Sequence, residues 1–535
     1  MVKRILIFVT VALWMGSVAV AQVTERERPR EWNSLVEGGR FADRFMAMPD
    51  GKLSADTWGA EQTRPRFIDN GIEDSERSYW GGNILRGEDG LYHLFVCGWK
   101  ENSPRGHHQW PYSIVYHTVS ENLQGPYAIR DTIGPGHNPE AFRTADGKYV
   151  VYVIDHYYLA DNIDGPWSRH EFEFDARDRK IIEGLSNLTF TRREDGSRLM
   201  VCRGGGVWIS RTGLTPYNQI SDRRIYPPVE GEFEDPVVWR DSVQYNAIVN
   251  DWLGRVAFYM RSKDGVNWVT DPGEAYMPGI ARHKDGRKED WFKYERIKIF
   301  QDEYGRAVQA NFAVIDTLKD EDRPNDRHSS KNICIPLNPG VLMELVDDAP
   351  ITPATKEIRL RIKAEPGFSP QTDVDVASLR FGASAEVNFG RGCRVKGTKK
   401  SGKDMIVIFD AAGNGITPDE FAPKLIGRKK DGELLFGYCR LPWLDYTPPV
   451  LSTRKPQIVT ENGKQTVSVV VENFGLKPSP SVEIRAIADV EGARAVIGKA
   501  TVPAMKPYES RTVEIIPDRR ADGNITVKFA GLNIR

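Results

Sequence analysis

The sequence predicts an all-β protein: a five-bladed β-propeller followed by two small β-sandwich (immunoglobulin-like) domains. Three observations carry that prediction. A loose motif recurs at Asn83, Asn138, Asn187, Asp235 and Glu295, with spacings of 55, 49, 48 and 60 residues. That leaves room for about four short strands per unit, the size of a propeller blade. Turn dipeptides sit at equivalent places in three units, at Asp89-Gly90, Asp146-Gly147 and Asp195-Gly196, each with a short apolar run after it. Beyond Pro336 the repeat stops and strict apolar–polar alternation begins, as in Glu357 to Lys363, the signature of half-exposed strands. A pair of β-sandwiches with merely periodic turns is the competing reading.

Taken in order, Lys3 and Arg4 precede an apolar stretch, Ile5 to Val20, that ends in Ala19-Val20-Ala21. Residues 1–21 therefore read as a signal peptide cleaved near Ala21, and the mature chain as secreted or periplasmic. The charged run Glu25-Arg26-Glu27-Arg28 follows at once, so no membrane span is expected. Residues 22–75 read as an N-terminal extension packing on the propeller, with a short helix around Leu35 to Met48. The propeller is expected over 76–344. Its clearest unit opens at Glu234-Asp235-Pro236-Val237-Val238-Trp239, two adjacent carboxylates at the mouth of a buried strand. Acids there cost solvation energy unless they are paired, hydrated or used. A β-sandwich is expected over 345–448, with strands near 357–363, 378–382, 405–409 and 434–438. Pro448-Pro449 then holds the chain extended without donating to a ladder. An immunoglobulin-like module over 449–535 follows, with alternating strands at 466–472 and 482–487.

A chain of 535 residues exceeds one hydrophobic core and implies several domains. Lys+Arg 73 balance Asp+Glu 74, so no net field attracts nucleic acid or an anionic membrane. The oligomeric state is left open. The five cysteines are scattered without metal-type pairing, which favours buried free thiols over a disulfide framework.

On a ring, the unit openings would meet at one end of the central channel. Glu140, Glu234, Asp235 and Glu295 are then the candidate catalytic acids, with Asp155 and Asp251 just after second strands. Carboxylates in different surroundings separate their pKa values into an acid and a base, and glycoside hydrolysis needs such a pair. A carbohydrate is the expected partner. His137, Asn83, Asn138 and Asn187 suit sugar hydroxyls, while Arg203 and Arg296 suit a carboxylate or sulfate because the guanidinium fork binds two oxygens. Trp80, Trp110 and Trp252 are candidate platforms for sugar faces. The alternative for each acid is a hydrogen-bonded support, and for each Arg a salt bridge. No cofactor is expected, although a ring of carboxylates and carbonyls would allow a structural cation such as calcium.

Asn138-Pro139-Glu140-Ala141-Phe142 with Asp146-Gly147-Lys148-Tyr149 is similar to the second-blade pattern Asp-Pro-x-x-Phe, Asp-Gly-x-Tyr of family 43 glycosidases. The blade openings as a set resemble the five-bladed propeller glycoside hydrolase superfamily of families 43, 32 and 117, over residues 75 to 340. Ile182-Glu183-Gly184 resembles the third-blade Glu-Gly that carries the general acid there, so the resemblance implies Glu183 as an acid. Two positions depart from the pattern. Gly81-Gly82-Asn83 stands where that family has its first-blade Asp, and Asn138 replaces the pKa-tuning Asp. The expectation is an exported hydrolase of a plant or algal polysaccharide whose acids lie elsewhere on the ring. A non-catalytic carbohydrate-binding or surface protein is the alternative, and a lyase using a Tyr or His base a third.

Overall fold

The computed structural model describes residues 23–54, 60–181, 185–490, 493–520 and 524–530. The signal peptide expected over 1–21 and the candidate acid Glu183 lie outside them. Regular structure is almost entirely β, and the two α-helices have four residues each, Pro370–Asp373 and Ser384–Val387. Among the described residues no helix is long and apolar enough to cross a membrane.

Residues 77–336 form five small sheets. The first runs β1 (Arg77–Arg86), β2 (Tyr92–Lys100), β3 (Ile114–Ser120), β4 (Ala128–Pro135), each antiparallel to the last. The second runs β5 (Glu140–Arg143), β6 (Tyr149–Tyr152), β7 (His156–Ala160), β8 (Ser168–Glu171). The third contains β9 (Phe174–Asp175), β10 (Thr189–Arg192), β11 (Arg198–Val201), β12 (Val207–Ser210) and β13 (Tyr217–Gln219), with β9 on the outside, parallel to β13. The fourth runs β14 (Phe233–Arg240), β15 (Tyr245–Asp251), β16 (Val256–Ser262), β17 (Trp268–Tyr276), and the fifth β18 (Lys293–Gln301), β19 (Ala307–Ile315), β20 (Ser330–Pro336).

Consecutive sheets share apolar cores, because middle strands such as β15 and β16 are buried along their whole length. Phe95 and Val115 meet Ala141 and Val151; Val150 and Tyr152 meet Phe190 and Met200; Leu199 and Val201 meet Val238 and Val249; Ile248 and Tyr259 meet Ile297 and Phe312. Trp80 and Cys97 of the first sheet meet Ala313 and Ile315 of the fifth. The sequence of contacts thus begins and ends at the first sheet.

The first strands are also stitched laterally by side chains. Asn83 donates to Ala141 O (2.8 Å) and accepts from Ala141 N (2.7 Å). Phe190 N donates to Glu140 Oε1 (2.7 Å), Val238 N to Thr189 Oγ1 (3.1 Å), Arg296 N to Asp235 Oδ2 (3.1 Å), and Asn332 Nδ2 to Gly81 O (3.1 Å).

The helix expected around Leu35 to Met48 is not there. Gly38, at φ +85°, and Gly39 interrupt the segment, which forms 3-10 turns at Arg30–Ser34 and Phe41–Arg44. Its apolar side chains are drawn into other cores instead: Trp32 and Leu35 join the third and fourth sheets, and Phe41 and Met48 the fourth and fifth.

Two further pairs of sheets follow. Strands at 343–345, 357–362, 395–401 and 404–410 face strands at 374–382, 424–429 and 434–438 across Leu360, Val407 and Phe409 against Phe381, Leu425 and Leu435. The sheets of residues 451–529 share Val469, Val471, Ile484 and Ile497. This last pair is tied to the third sheet's surroundings by Arg177 to Glu472 (2.7 Å) and by Arg193 donating to Phe474 O (2.8 Å). All five cysteines are buried and unpaired.

Candidate functional site

Five residues at equivalent openings of the five sheets share a left-handed backbone: Gly81 (φ +59°), Asn138 (+55°), Asn187 (+52°), Asp235 (+57°) and Arg296 (+53°). In the first, fourth and fifth sheets the ladder slips just there, between Trp80 and Asn83, Glu234 and Val237, and Glu295 and Lys298. Such bulges turn side chains out of the pleat. The repeat markers read from sequence at Asn83 and Glu295 are therefore corrected to Gly81 and Arg296, because the slipped residues offset the count. Gly82 (φ +111°) admits no side chain, since a Cβ would lie 2.1 Å from Phe95 O.

These openings converge on a small cavity lined by Gly81, Gly82, Asn138, Asn187, Asp235 and Arg296. Asn138 Nδ2 donates to Asn187 Oδ1 (3.3 Å). Asn187 Nδ2 donates to Glu234 Oε1 (3.0 Å) and Asp235 Oδ1 (3.1 Å). Arg296 Nη1 lies 2.8 Å from Asp235 Oδ1, and its Nη2 lies 3.7 Å from Glu234 Oε1. Burial pushes the Asp235 carboxyl up, to about 6, against the pull of the Arg296 guanidinium, and the Glu234 and Glu295 charges add to the rise. Glu295 has the opposite outcome. Burial would raise it, but the Lys319 ammonium at 2.5 Å and that of Lys293 at 3.5 Å outweigh burial and hold it down to about 2.

The predicted residues divide into three groups. Glu234, Asp235, Glu295, Arg203, Arg296, Asn138 and Asn187 are brought together; Arg203 Nε lies 3.7 Å from Glu234 Oε1. Among the three acids Glu234 has the open face, its side chain 17% exposed, whereas Asp235 and Glu295 are enclosed. Trp80, Trp252, Trp110 and His137 stand around them. Lys319 Nζ lies 4.9 Å above the Trp80 ring and Lys293 Nζ 4.7 Å above Trp252. Trp110 packs on the buried His137 ring at 4.8 Å, and Ser113 Oγ is 2.9 Å from His137 Nδ1.

A third group is engaged elsewhere. Glu140 is buried, with Oε1 taken by Phe190 N and Oε2 by Lys298 Nζ. Asn83 spends its amide on Ala141. Asp251 accepts from Arg26, Glu232 N and Gly254 N. Asp155 is exposed and pairs with its neighbour His156 at 2.6 Å. The adjacent His107 and His108 diverge, to Ser330 Oγ (3.0 Å) and Asp320 Oδ1 (2.6 Å).

The solved structures similar to this chain include glycoside hydrolases. They include an α-L-arabinofuranosidase from Lactobacillus brevis (11% identity over 49% of this chain and 91% of that one, TM-score 0.34). Others are a glycoside hydrolase (12%, 86% and 99%, TM-score 0.35) and a thermostable family-43 glycoside hydrolase (11%, 54% and 94%, TM-score 0.29). No protein-family model and no curated protein matches the chain.

Sequence reasoning named Arg203 and Arg296 but missed the two lysines that hold Glu295 ionised. Lys293 sits two residues from Glu295, a spacing that puts both on one face of a regular strand and that offered a signal. Lys319, from the loop after β19, offered none. Around the carboxylates several polar atoms are buried without a hydrogen bond: Asn138 Oδ1, Glu295 Oε1, Arg296 Nε and Tyr276 Oη. A wider cavity of about 330 Å³, lined by residues such as Trp239, Arg306, Met343 and Phe436, holds none of the predicted site residues.

Proposed function

We propose that the protein is an exported glycoside hydrolase that cleaves a plant or algal poly- or oligosaccharide at the Glu234–Glu295 cluster. The five sheets are read as the blades of a five-bladed propeller spanning 76–344, preceded by an extension at 22–75 and followed by β-sandwich modules at 345–448 and 449–535. Support for the ring comes from the apolar cores that link each sheet to the next and the fifth to the first.

The observation that carries the hydrolase reading is the splitting of carboxylate environments within one cluster. Glu295 is held ionised by two lysines, while Glu234 keeps an open face beside it on the neighbouring sheet. Pairs of carboxyls with divergent surroundings are how such sites divide acid from base. Glu295 takes the proton of the attacking water, and Glu234 delivers a proton to the leaving glycosidic oxygen as the anomeric carbon–oxygen bond breaks. Asp235 orients the pair through Asn187 and Arg296, and Glu140 braces the sheets. Four cations (Arg203, Lys293, Arg296, Lys319) face three acids, a surplus that suits a sugar bearing carboxylate or sulfate.

Reducing-sugar release from acidic polysaccharides, with wild type against Glu234→Gln and Glu295→Gln, tests the reading. Aryl glycosides with good leaving groups should rescue the variant that lacks the acid and not the one that lacks the base. Turnover undiminished in both variants would end it. A carbohydrate-binding protein without turnover is the second reading, favoured by the enclosure of Asp235 and Glu295; glycan binding without product release would establish it.

A further inference from the structure

A second cluster of ligating side chains lies between the first and second sheets, apart from Glu234 and its neighbours. His93 on β2 and His117 on β3 are both fully buried, with ring centroids 5.0 Å apart and ring planes within 12° of parallel. Phe95 covers the other side of the His117 ring at 5.0 Å. Asp89, in the β1–β2 turn, lies 3.0 Å from His93 Nε2, and His93 Nδ1 lies 2.7 Å from His117 Nε2. Asp164, in the turn between β7 and β8, places Oδ1 3.9 Å from His117 Nδ1, which has no hydrogen-bond partner.

With both imidazoles neutral, the chain of contacts places the protons. An ionised Asp89 accepts, so His93 carries its proton on Nε2 and its Nδ1 is a lone pair. That lone pair must receive Nε2–H of His117, which leaves the Nδ1 of a neutral His117 bare. A nitrogen lone pair and a carboxylate oxygen then face each other across 3.9 Å. A metal with bonds of about 2.0–2.2 Å to nitrogen and oxygen spans that gap at a wide ligand–metal–ligand angle.

We propose that His117 Nδ1 and Asp164 Oδ1 bind a divalent transition metal of the zinc type, with water completing the coordination. His93 and Asp89 form the supporting relay that such sites use to orient a ligating imidazole. Arg130 fixes both carboxylates, through Asp164 Oδ2 at 3.1 Å and Asp89 Oδ2 at 3.6 Å, and leaves Asp164 Oδ1 to the metal. His93, His117 and Asp164 bring one nitrogen or oxygen atom each within 4.8 Å of one another, so the relay and the two ligands form one compact cluster. Bound here, the ion would clamp the first sheet to the second.

Zinc titration of the chelator-treated full chain, followed by calorimetry, tests the site, together with anomalous scattering from zinc-soaked crystals. One equivalent should bind, and the anomalous peak should fall between His117 Nδ1 and Asp164 Oδ1. Asp164→Asn, in an exposed turn that leaves the fold intact, should remove binding, and Asp89→Asn should weaken it roughly 10–100-fold. Unchanged affinity in Asp164→Asn, no saturable binding, or a peak only at other histidines would overturn the proposal.

Discussion

Glu140→Gln separates a brace from a catalyst. Glu140 begins the second sheet, yet its carboxylate reaches β10 through Phe190 N and β18 through the Lys298 ammonium, which also donates to Leu188 O at 3.2 Å. Both side chains are more than nine-tenths buried. Gln keeps the shape and the oxygen for Phe190 N but leaves the Lys298 charge enclosed without a counter-ion. Breaking a buried pair from one side costs about 3–5 kcal/mol, whereas replacing both partners by apolar groups is often neutral or stabilising. At about 2–4 °C per kcal/mol for a large domain, Glu140→Gln should lower the melting temperature by roughly 6–20 °C. Lys298→Met should do the same, and the double variant Glu140→Met/Lys298→Met should recover most of the loss. Calorimetry and urea unfolding of the four proteins give the cycle. A cost under about 1 kcal/mol for the single change, or simple additivity in the double, would refute the brace. Lost turnover at unchanged stability would return Glu140 to the catalytic set.

Three further outcomes follow from the same contacts. Glu234→Gln should reduce kcat/KM by roughly 10²–10⁴-fold while leaving the unfolding midpoint near that of wild type; retained activity would exclude Glu234 as the proton donor. Lys319→Met removes the main charge that holds Glu295 down, so the acidic limb of the pH–rate profile should move up by roughly one to three units, and an unmoved limb would remove Glu295 as the base. Lys424 is buried with its Nζ donating to Gly38 O (2.6 Å) and Asn388 Oδ1 (2.7 Å), two acceptors for the two hydrogens of a neutral amine, and burial brings it down to about 7. The unfolded chain keeps that proton up to about 10.5. Stability should therefore rise with pH between about 7 and 10 and be level outside that window, and Lys424→Met should flatten the slope measured by chemical denaturation.

The sequence made the β character and the count of five sheets legible because three units carry a turn dipeptide at the same place and each unit has a short apolar run, signals local enough to read directly. The strand at 357–362 was legible because alternation with period two is a property of the segment itself, and those at 405–409 and 434–438 because each is a short apolar run. The Leu35 to Met48 segment was misread because its apolar residues serve two different cores, so their spacing reflects tertiary contacts and not a helical face. Within the site the acids Glu234, Asp235 and Glu295 were legible as polar residues at the mouths of apolar strands. Their electrostatics were not, since Lys319 arrives from a loop distant in sequence from the acids it faces. Asp155 and Asp251 illustrate the limit from the other side: both follow second strands in sequence, but one faces solvent and the other is spent on Arg26 and two backbone amides.

The five left-handed residues explain why site and fold were read together. Positive φ is cheap for Gly and tolerable for Asn and Asp, whose short polar side chains bond locally. Gly81, Asn138, Asn187 and Asp235 obey that preference, and the last three carry short polar side chains that hydrogen-bond to one another across the openings. Arg296 does not obey it. A long side chain at φ +53° carries a strain of order 1–2 kcal/mol, and it persists where surrounding contacts over-determine it. Here those contacts are Asp235, which accepts from both the Arg296 amide and its guanidinium, and Glu234 beyond it. The same contacts fix the two acids at the unit openings, so relieving the strain with Arg296→Gly would loosen the very carboxylates it holds. Backbone strain at the fifth opening and carboxylate order at the fourth are one coupled feature, and that coupling sets this position apart from the four that only follow backbone preference.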